Sequence, residues 1–252
     1  MKHMNFNEYQ DPIRVGDYEV RFLKNAEELL AFQKLRYEHL LLEFNPERHD
    51  KERIDYNDGY DEIASQLCVF DTSEKKEKLV GGYVLFRCAP DKICKTQSEF
   101  DISKLLKKHP NEVLDLSRAV VDPLHRNPIV LKLLWRGIEA YVYNHNLKYL
   151  IGTVSFKGID PTPYLKGLSY VKENYRMDED MMATSLQKHD LKLPQLDPNE
   201  IEVVKKQLPP LLRGYLMNGS RIGEGIFIDK DFNSVDVFNI LNKDDYGLRR
   251  LK

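Results

Sequence analysis

The stretch VLDLSRAVVDPLHRNPIVLKLLWRGIEAYVYNHNLKYLIGTVSF, residues 113–156, decides the fold. Val113–Val121 has the apolar character of a buried strand, interrupted by Asp115, Ser117 and Arg118. A loop over 122–128 follows. A helix is expected from about Ile129 to Asn144, because Val130, Leu133, Leu134, Ile138, Tyr141 and Val142 recur at helical spacing. Lys132, Arg136, Glu139 and Tyr143 fall on its other side. Tyr149–Phe156 then reads as a second strand. Strand, crossover helix and strand make a βαβ unit, which is parallel and right-handed.

Outward from that unit the chain keeps alternating. Tyr18–Phe22 reads as a strand, and Asn25 as the cap of a helix whose stripe is Leu29, Leu30, Tyr37, Leu40, Leu41 and Phe44. Pro46 ends it, and Arg36 lies beside the stripe. Residues 45–65, with the run ERHDKERIDYNDGYDEIAS, have the composition of a mobile polar loop. Gln66–Phe70 and Leu79–Phe86 read as a hairpin, and Ser98 as the cap of a short helix to about Lys108. Further on, Ile201, Val204, Leu208, Leu211, Leu212, Tyr215 and Leu216 form a stripe that Pro209 and Pro210 divide into two helices. Gly219 closes the second, and Gly225–Ile228 with Val235–Leu241 reads as a last hairpin around 229–233. One α/β mixed-sheet domain spanning 18–252, with residues 1–17 as an N-terminal extension, accounts for the pattern.

Composition narrows the function. The chain has 252 residues, 38 Lys+Arg against 40 Asp+Glu, and a formal net charge of -2, which argues against a polyanion binder, so no nucleic-acid partner is expected. No apolar run approaches the ~20 residues of a membrane span, and MKHMNFNEYQD lacks a signal-peptide core. A cytoplasmic protein is therefore expected. Cys68, Cys88 and Cys94 lack metal or disulfide spacing, and no resident metal or cofactor is expected.

Asp115 and Arg118 demand an explanation, since an unpartnered charge in an apolar strand costs several kcal/mol. A structural ion pair and a functional site are both open. Positions 115 and 118 point to opposite faces of a regular strand, so a shared site requires a bulge between them. Asp55, Asp58 and Asp61 recur every third residue; a solvated acidic loop explains them more simply than calcium. The run DKDFN at 229–233 is turn chemistry or something more.

Several ordered blocks carry a resemblance: VLDLSRAVVDPLHR (113–126), LLWRGIEAYV (133–142), LIGTVSF (150–156), GGYVLFR (81–87), SEFDISKLL (98–106) and LPPLLRGYLMNGSRIGEGIFIDKDFNSVDVFNIL (208–241). Together they resemble the ornithine N-acyltransferases that make lyso-ornithine lipid, members of the GNAT superfamily distantly similar to acyl-homoserine-lactone synthases. The resemblance implies a GNAT-like (acyl-CoA N-acyltransferase) mixed central sheet flanked by helices, splayed between strands 113–121 and 149–156. It implies transfer of a (3-hydroxy)acyl chain from acyl carrier protein to the α-amine of an amino acid, L-ornithine before others. Coenzyme A as donor, glycine or another acceptor, and a non-catalytic acyl-binding protein are the alternatives. Asp115 and Arg118 become the catalytic candidates, with Asp115 where the family usually has Glu. Arg36, Asp55, Asp58, Arg87, Ser155, Phe156, Asp229 and Asn233 are the acceptor-binding candidates. Ser117, Val120, Arg126, Lys132, Trp135 and Arg136 are the candidates for holding the donor. The loop His125-Arg-Asn-Pro-Ile129 has no glycine, and Pro128 removes a donor that a coenzyme A pyrophosphate would use, which favours a carrier protein. The lipid product is compatible with peripheral contact at the inner face of the cytoplasmic membrane.

Overall fold

Alternation along Tyr18–Phe22 (β2), Ser65–Asp71 (β3) and Lys78–Arg87 (β4) gives each strand two different faces, and each face takes a helix. The computed structural model describes residue 6, residues 8–89 and residues 92–245, with backbone alone at 57 and 58. The chain divides into two compact units, Met1–Arg87 with Leu116–Leu147, and Cys88–Asp115 with Lys148–Lys252. Strand β6, Val113–Val121, passes from the second unit into the first.

The first unit carries the sheet order β1-β2-β3-β4-β6, where β1 is Ile13–Val15. That short strand lies within the stretch read as an N-terminal extension, and its three residues pair antiparallel with β2. Helix α1, Ala26–Arg36, starts where the Asn25 side chain accepts from the Glu28 N–H, and continues as a π-helical turn, Tyr37–Leu41, before Leu42–Phe44. Its Phe32 reaches the sheet beside Gly82, where any Cβ would stand 2.8 Å from the ring. After helix α2 (Ser103–Lys108, in the second unit), helix α3, Pro128–Asn144, covers the other face. There Gly137 lets the helix settle on Leu67 and Val20, whose side chains would lie 2.8 and 3.2 Å from an added Cβ. The six inward residues expected for this helix are all buried.

The second unit carries the order β6-β7-β11-β10, with β9 on β11. Its strands are Tyr149–Lys157 (β7), Arg221–Ile222 (β9), Phe227–Asp229 (β10) and Ser234–Asn242 (β11). One face is apolar: Val154, Phe156, Val235 and Val237 pack with Leu168, Val171, Val204, Leu208 and Leu212. Those partners come from α4 (Leu165–Tyr175), α5 (Ile201–Gln207) and α6 (Pro210–Met217). The prolines separate α5 from α6 as expected, whereas α4 had no assignment from sequence. The helix expected from Ser98 begins instead at Ser103, whose N–H is held by Asp101. Lys95–Ser98 is a 3₁₀ turn, and Phe100–Asp101 (β5) pairs with Thr184–Ser185 (β8). A strand partner remote in sequence thus displaced the first turn of the expected helix. Among the described residues no helix is long and apolar enough to cross a membrane.

Two glycines separate packing from propensity. In Gly82→Ala the new methyl would meet Cys68 Sγ at 2.7 Å and the Leu67 carbonyl oxygen at 2.9 Å, and the backbone has no room to move. Urea titration is expected to show a loss of about 1–3 kcal/mol. Gly214, inside α6, has nothing within 4 Å of an added Cβ, so Gly214→Ala is expected to raise stability by up to about 1 kcal/mol.

Candidate active site

Asp115 is 1% exposed. It finds its donors in the 3₁₀ turn at Lys95–Ser98: the Thr96 N–H donates to Oδ2 at 2.8 Å and the Thr96 hydroxyl to Oδ1 at 2.9 Å. Burial pushes its carboxyl above the ordinary aspartate value, against the pull of Thr96, the Cys94 thiol and Lys95. Cys94 is fully buried, and its thiol is driven far up by a hydrogen bond with Cys88 and by burial. The turn presents Thr96 because the Gln97 side chain accepts from the Cys94 N–H at 3.0 Å. Asp115 is the last residue of β6 in parallel register with β7, opposite Ile151. The expected separation of the two strands requires that such pairing stop early, and the register holds three pairs, Val113↔Tyr149 to Asp115↔Ile151.

Register then places more acid on the same face of the second unit. Ile151 and Ser155 are four apart on β7 and share a side. Asp236 pairs with Ser155, and Asp229 with Ser234, two residues from Asp236. Glu99, beside the Thr96 turn, completes a group whose carboxylate oxygens lie within 4.8 Å of one another: Glu99, Asp229 and Asp236. Glu99 is 4% and Asp236 2% exposed, and among the described residues neither Glu99 Oε2 nor Asp236 Oδ1 has a hydrogen-bond partner. Lys95 holds Glu99 Oε1 at 2.9 Å, the Ser234 hydroxyl donates to Asp236 Oδ2 at 3.1 Å, and the Phe232 N–H donates to Asp229 Oδ1 at 2.8 Å. Burial, then the charge of Glu99, pushes Asp236 up to about 7, against a hydrogen bond from Ser155. Burial likewise raises Glu99. Asp229 and Ser155 are among the candidates the sequence offers; Glu99, Asp236 and Thr96 are not. Asp236 had a signal, a carboxylate between Val235 and Val237 in an expected strand, which is the mark that drew attention to Asp115.

In the first unit the loop 45–65 is not the solvated segment its composition suggests. Asp55 and Asp61 are each 5% exposed and enclose Arg36, which is 0% exposed. Arg36 Nη1 reaches Asp61 Oδ1 at 2.8 Å, Nη2 reaches Oδ2 at 2.5 Å, and Nε lies 3.0 Å from Asp55 Oδ2. Its Nη2 also donates to the Asp55 carbonyl. Gln33 donates to Asp61 at 2.9 Å, and Phe32 lies under the guanidinium at 4.8 Å. Burial works against the Arg36 charge, yet Asp61 and Asp55 outweigh it and raise the pKa. Arg118 joins the network through Nε, 3.1 Å from Asp55 Oδ2. Its φ is +53°, a left-handed backbone that costs a non-glycine residue about 1–3 kcal/mol. Asp115 and Arg118 thus belong to different networks, Asp115 to that of Thr96 and Arg118 to that of Asp55.

Other candidates sit as follows. Arg87 pairs with His145 at 2.8 Å and Glu8 at 3.4 Å. Phe156 is 3% exposed in the apolar core, its ring tilted against that of Tyr164. Asn233 has φ +61° in the β10–β11 turn and accepts from the Gly158 N–H through its carbonyl. Ser117 is half-buried and Val120 buried; Arg126 is tied to Glu43 at 3.0 Å and to the Val121 carbonyl. On α3, Lys132 is exposed, and Trp135 and Arg136 are half-buried. The side chain of Asp58 lies outside the described residues. At the α3 N-terminus the Asn127 side chain accepts from the Ile129 and Val130 N–H groups, at 3.0 and 3.1 Å.

The two networks predict different failures. Arg36→Ala leaves buried Asp61 without its guanidinium and Asp55 with Arg118 alone, and a loss of about 3–5 kcal/mol is expected in chemical denaturation. For Asp236 the native pKa lies above the unfolded value of about 3.9, so its contribution to stability is whole below that pH and lost as pH rises through about 7. Glu99 and Asp115 act in the same direction. Stability is therefore expected to fall from pH 5 to pH 8, and to fall less in Asp236→Asn, as measured by denaturation at both pH values.

Comparison with known proteins joins these observations to a family. Residues 35–136 match the family model described as Acetyltransferase (GNAT) domain. The chain is 32% identical over 240 residues to the L-ornithine N(alpha)-acyltransferase of Brucella abortus (strain 2308), covering 90% of this chain and 85% of the relative. It is 33% identical over 244 residues to the protein of the same name from Rhizobium meliloti (strain 1021), covering 90% and 81%. In fold it is similar to FeeM, an N-acyl amino acid synthase from uncultured soil microbes, with TM-score 0.51, 10% identity, and coverage of 92% of this chain and 91% of that one. With its mixed sheet flanked by helices and its likeness along nine-tenths of the chain, the protein belongs to the L-ornithine N(alpha)-acyltransferase family and is an N-acyltransferase.

Proposed function

We propose that the protein moves a (3-hydroxy)acyl chain from the phosphopantetheine thioester of an acyl carrier protein to the α-amine of L-ornithine, giving a lyso-ornithine-type aminolipid. The names of its relatives support the acceptor. The observation that carries the choice of donor is the start of α3. Pro128 has no N–H, and Asn127 already engages the N–H groups of Ile129 and Val130. Those are the groups a pyrophosphate would need at a helix N-terminus. A carrier-bound arm has one phosphodiester and asks less of that turn. Lys132, exposed on α3, supplies a charge suited to the acidic surface of a carrier protein. The lipid product gives a reason for peripheral membrane contact.

The chemistry sets clear requirements. The α-ammonium must lose a proton before its nitrogen can attack the thioester carbon. A C–N bond forms as the C–S bond breaks, and the sulfur leaves as a thiol after taking up a proton. Asp115 is the proposed proton acceptor, because its raised pKa brings it toward working pH. Its two oxygens both receive hydrogen bonds from Thr96, so the proton travels by relay: the Thr96 hydroxyl gives its proton to Asp115 as it, or a water before it, takes one from the amine. In β7 beyond Ile151, N–H groups not bonded to β11 are candidates to stabilise the oxyanion.

The test pairs 3-hydroxyacyl carrier protein with 3-hydroxyacyl coenzyme A across a panel of amino acids. Carrier-protein thioester with ornithine is expected to be the best pair. Asp115→Asn is expected to lower kcat about 10²–10⁴-fold with the fold intact. Equal use of coenzyme A would overturn the donor, and full activity of Asp115→Asn would overturn the role of the carboxylate.

A further inference from the structure

Glu99, Asp229 and Asp236 take no part in the proton transfer just described, yet they stand on the same face of the second unit as Asp115. Ile151, opposite Asp115, and Ser155, opposite Asp236, are four residues apart on β7, about 13 Å along the strand. Glu99 lies between in electrostatic terms, since both Asp115 and Asp229 act on its charge.

Such a cluster would be costly without something to receive. Three carboxylates against the single ammonium of Lys95 leave excess negative charge in a buried place. Two of their oxygens, Glu99 Oε2 and Asp236 Oδ1, are buried with no hydrogen-bond partner among the described residues. A buried acceptor left this way carries a desolvation cost that a bound donor would remove. Of the other oxygens, Glu99 Oε1, Asp229 Oδ1 and Asp236 Oδ2 have donors in Lys95, the Phe232 N–H and Ser234.

We infer that Glu99, Asp229 and Asp236 form the receptor for a primary ammonium, the δ-ammonium of the acceptor amino acid. A primary ammonium has three N–H donors and no acceptor, one for each carboxylate. Held about 2.8 Å from each oxygen, it sets its partners roughly 4.5 Å apart, which matches the spacing of within 4.8 Å. A divalent ion would ask for six or more oxygens, with magnesium keeping several waters.

The electrostatics also decide which amine of the acceptor sits there. Three carboxylates hold an ammonium in its charged form, and a charged ammonium cannot attack a thioester. The cluster therefore suits the amine that must not react. It rejects acceptors without a second amine, and it directs acylation to the α-nitrogen by keeping the δ-nitrogen protonated.

This assignment rests on the proposed ornithine acceptor, and its test separates the two. Transfer to L-ornithine is compared with transfer to 2-aminopentanoate, the same skeleton without the δ-amine. The native enzyme is expected to prefer ornithine in kcat/KM by about 100-fold or more, with acylation at the α-nitrogen alone. In Asp236→Asn and Glu99→Gln that ratio is expected to shrink at least about tenfold, and δ-acylated product to appear in mass spectra. If either variant fails to fold, ornithine but not 2-aminopentanoate must still raise the melting temperature of the native protein. A native enzyme that acylates both equally well overturns the receptor and leaves acyl transfer standing. Unchanged ratios and unchanged regiochemistry in the folded variants overturn it as well. So does micromolar binding of magnesium, calcium or manganese that Asp236→Asn abolishes, with loss of activity on chelation. If the native enzyme acylates 2-aminopentanoate but never ornithine, the ornithine reading falls and the receptor with it.

Discussion

A carboxylate removed from water must be given hydrogen-bond donors, and the local structure around β6 is organised by how Asp115 obtains them. Both of its oxygens are met by one residue, Thr96, through backbone and hydroxyl. That arrangement needs the Lys95–Ser98 turn beside the strand, and it leaves Glu99 as the next residue along. The turn therefore does two things at once. It satisfies the acid on β6, and it delivers another acid to the face on which Asp236 and Asp229 stand. Burial dominates the proton affinity of all three elevated carboxyls, Asp115, Glu99 and Asp236, and their charges reinforce one another.

The first unit solves the opposite problem, the burial of a guanidinium. Arg36 is enclosed by Asp55, Asp61, Gln33 and the face of Phe32, and Arg118 approaches the same Asp55. Two arginines and two aspartates balance formally, so the network has no surplus charge to offer a substrate cation. The structure pairs Asp55 with Arg36 and Arg118, and Asp61 with Arg36. The left-handed backbone at Arg118 is the local strain that goes with bringing its side chain there.

Much of the scaffold was legible because it depends on periodicity. The strands at 18–22 and 113–121 and the helix ending at Asn144 coincide with their apolar patterns, and Pro209–Pro210 divides α5 from α6. What escaped was decided by remote partners. The turn before α2 lost its helical form to pairing between β5 and β8, 85 residues apart at Phe100↔Ser185. The charged loop 45–65 has a solvated composition, yet Arg36 draws Asp55 and Asp61 inward. Thr96 and Glu99 carry no sequence signal, since a polar residue in a short turn is ordinary until its neighbours are known.

By itself the sequence determined the alternation of strands and helices, the parallel βαβ unit, and the oddity of Asp115 and Arg118, because these follow from side-chain period and from the cost of burying charge. Only the tertiary structure decided which charges meet. Asp115 with Thr96, Arg36 with Asp61, and Glu99 with Asp229 and Asp236 are pairings across strands, turns and loops. Such pairings depend on strand register, which places Asp236 beside Ser155 and Asp115 beside Ile151. A shift of one residue would turn each of these acids into the apolar face instead.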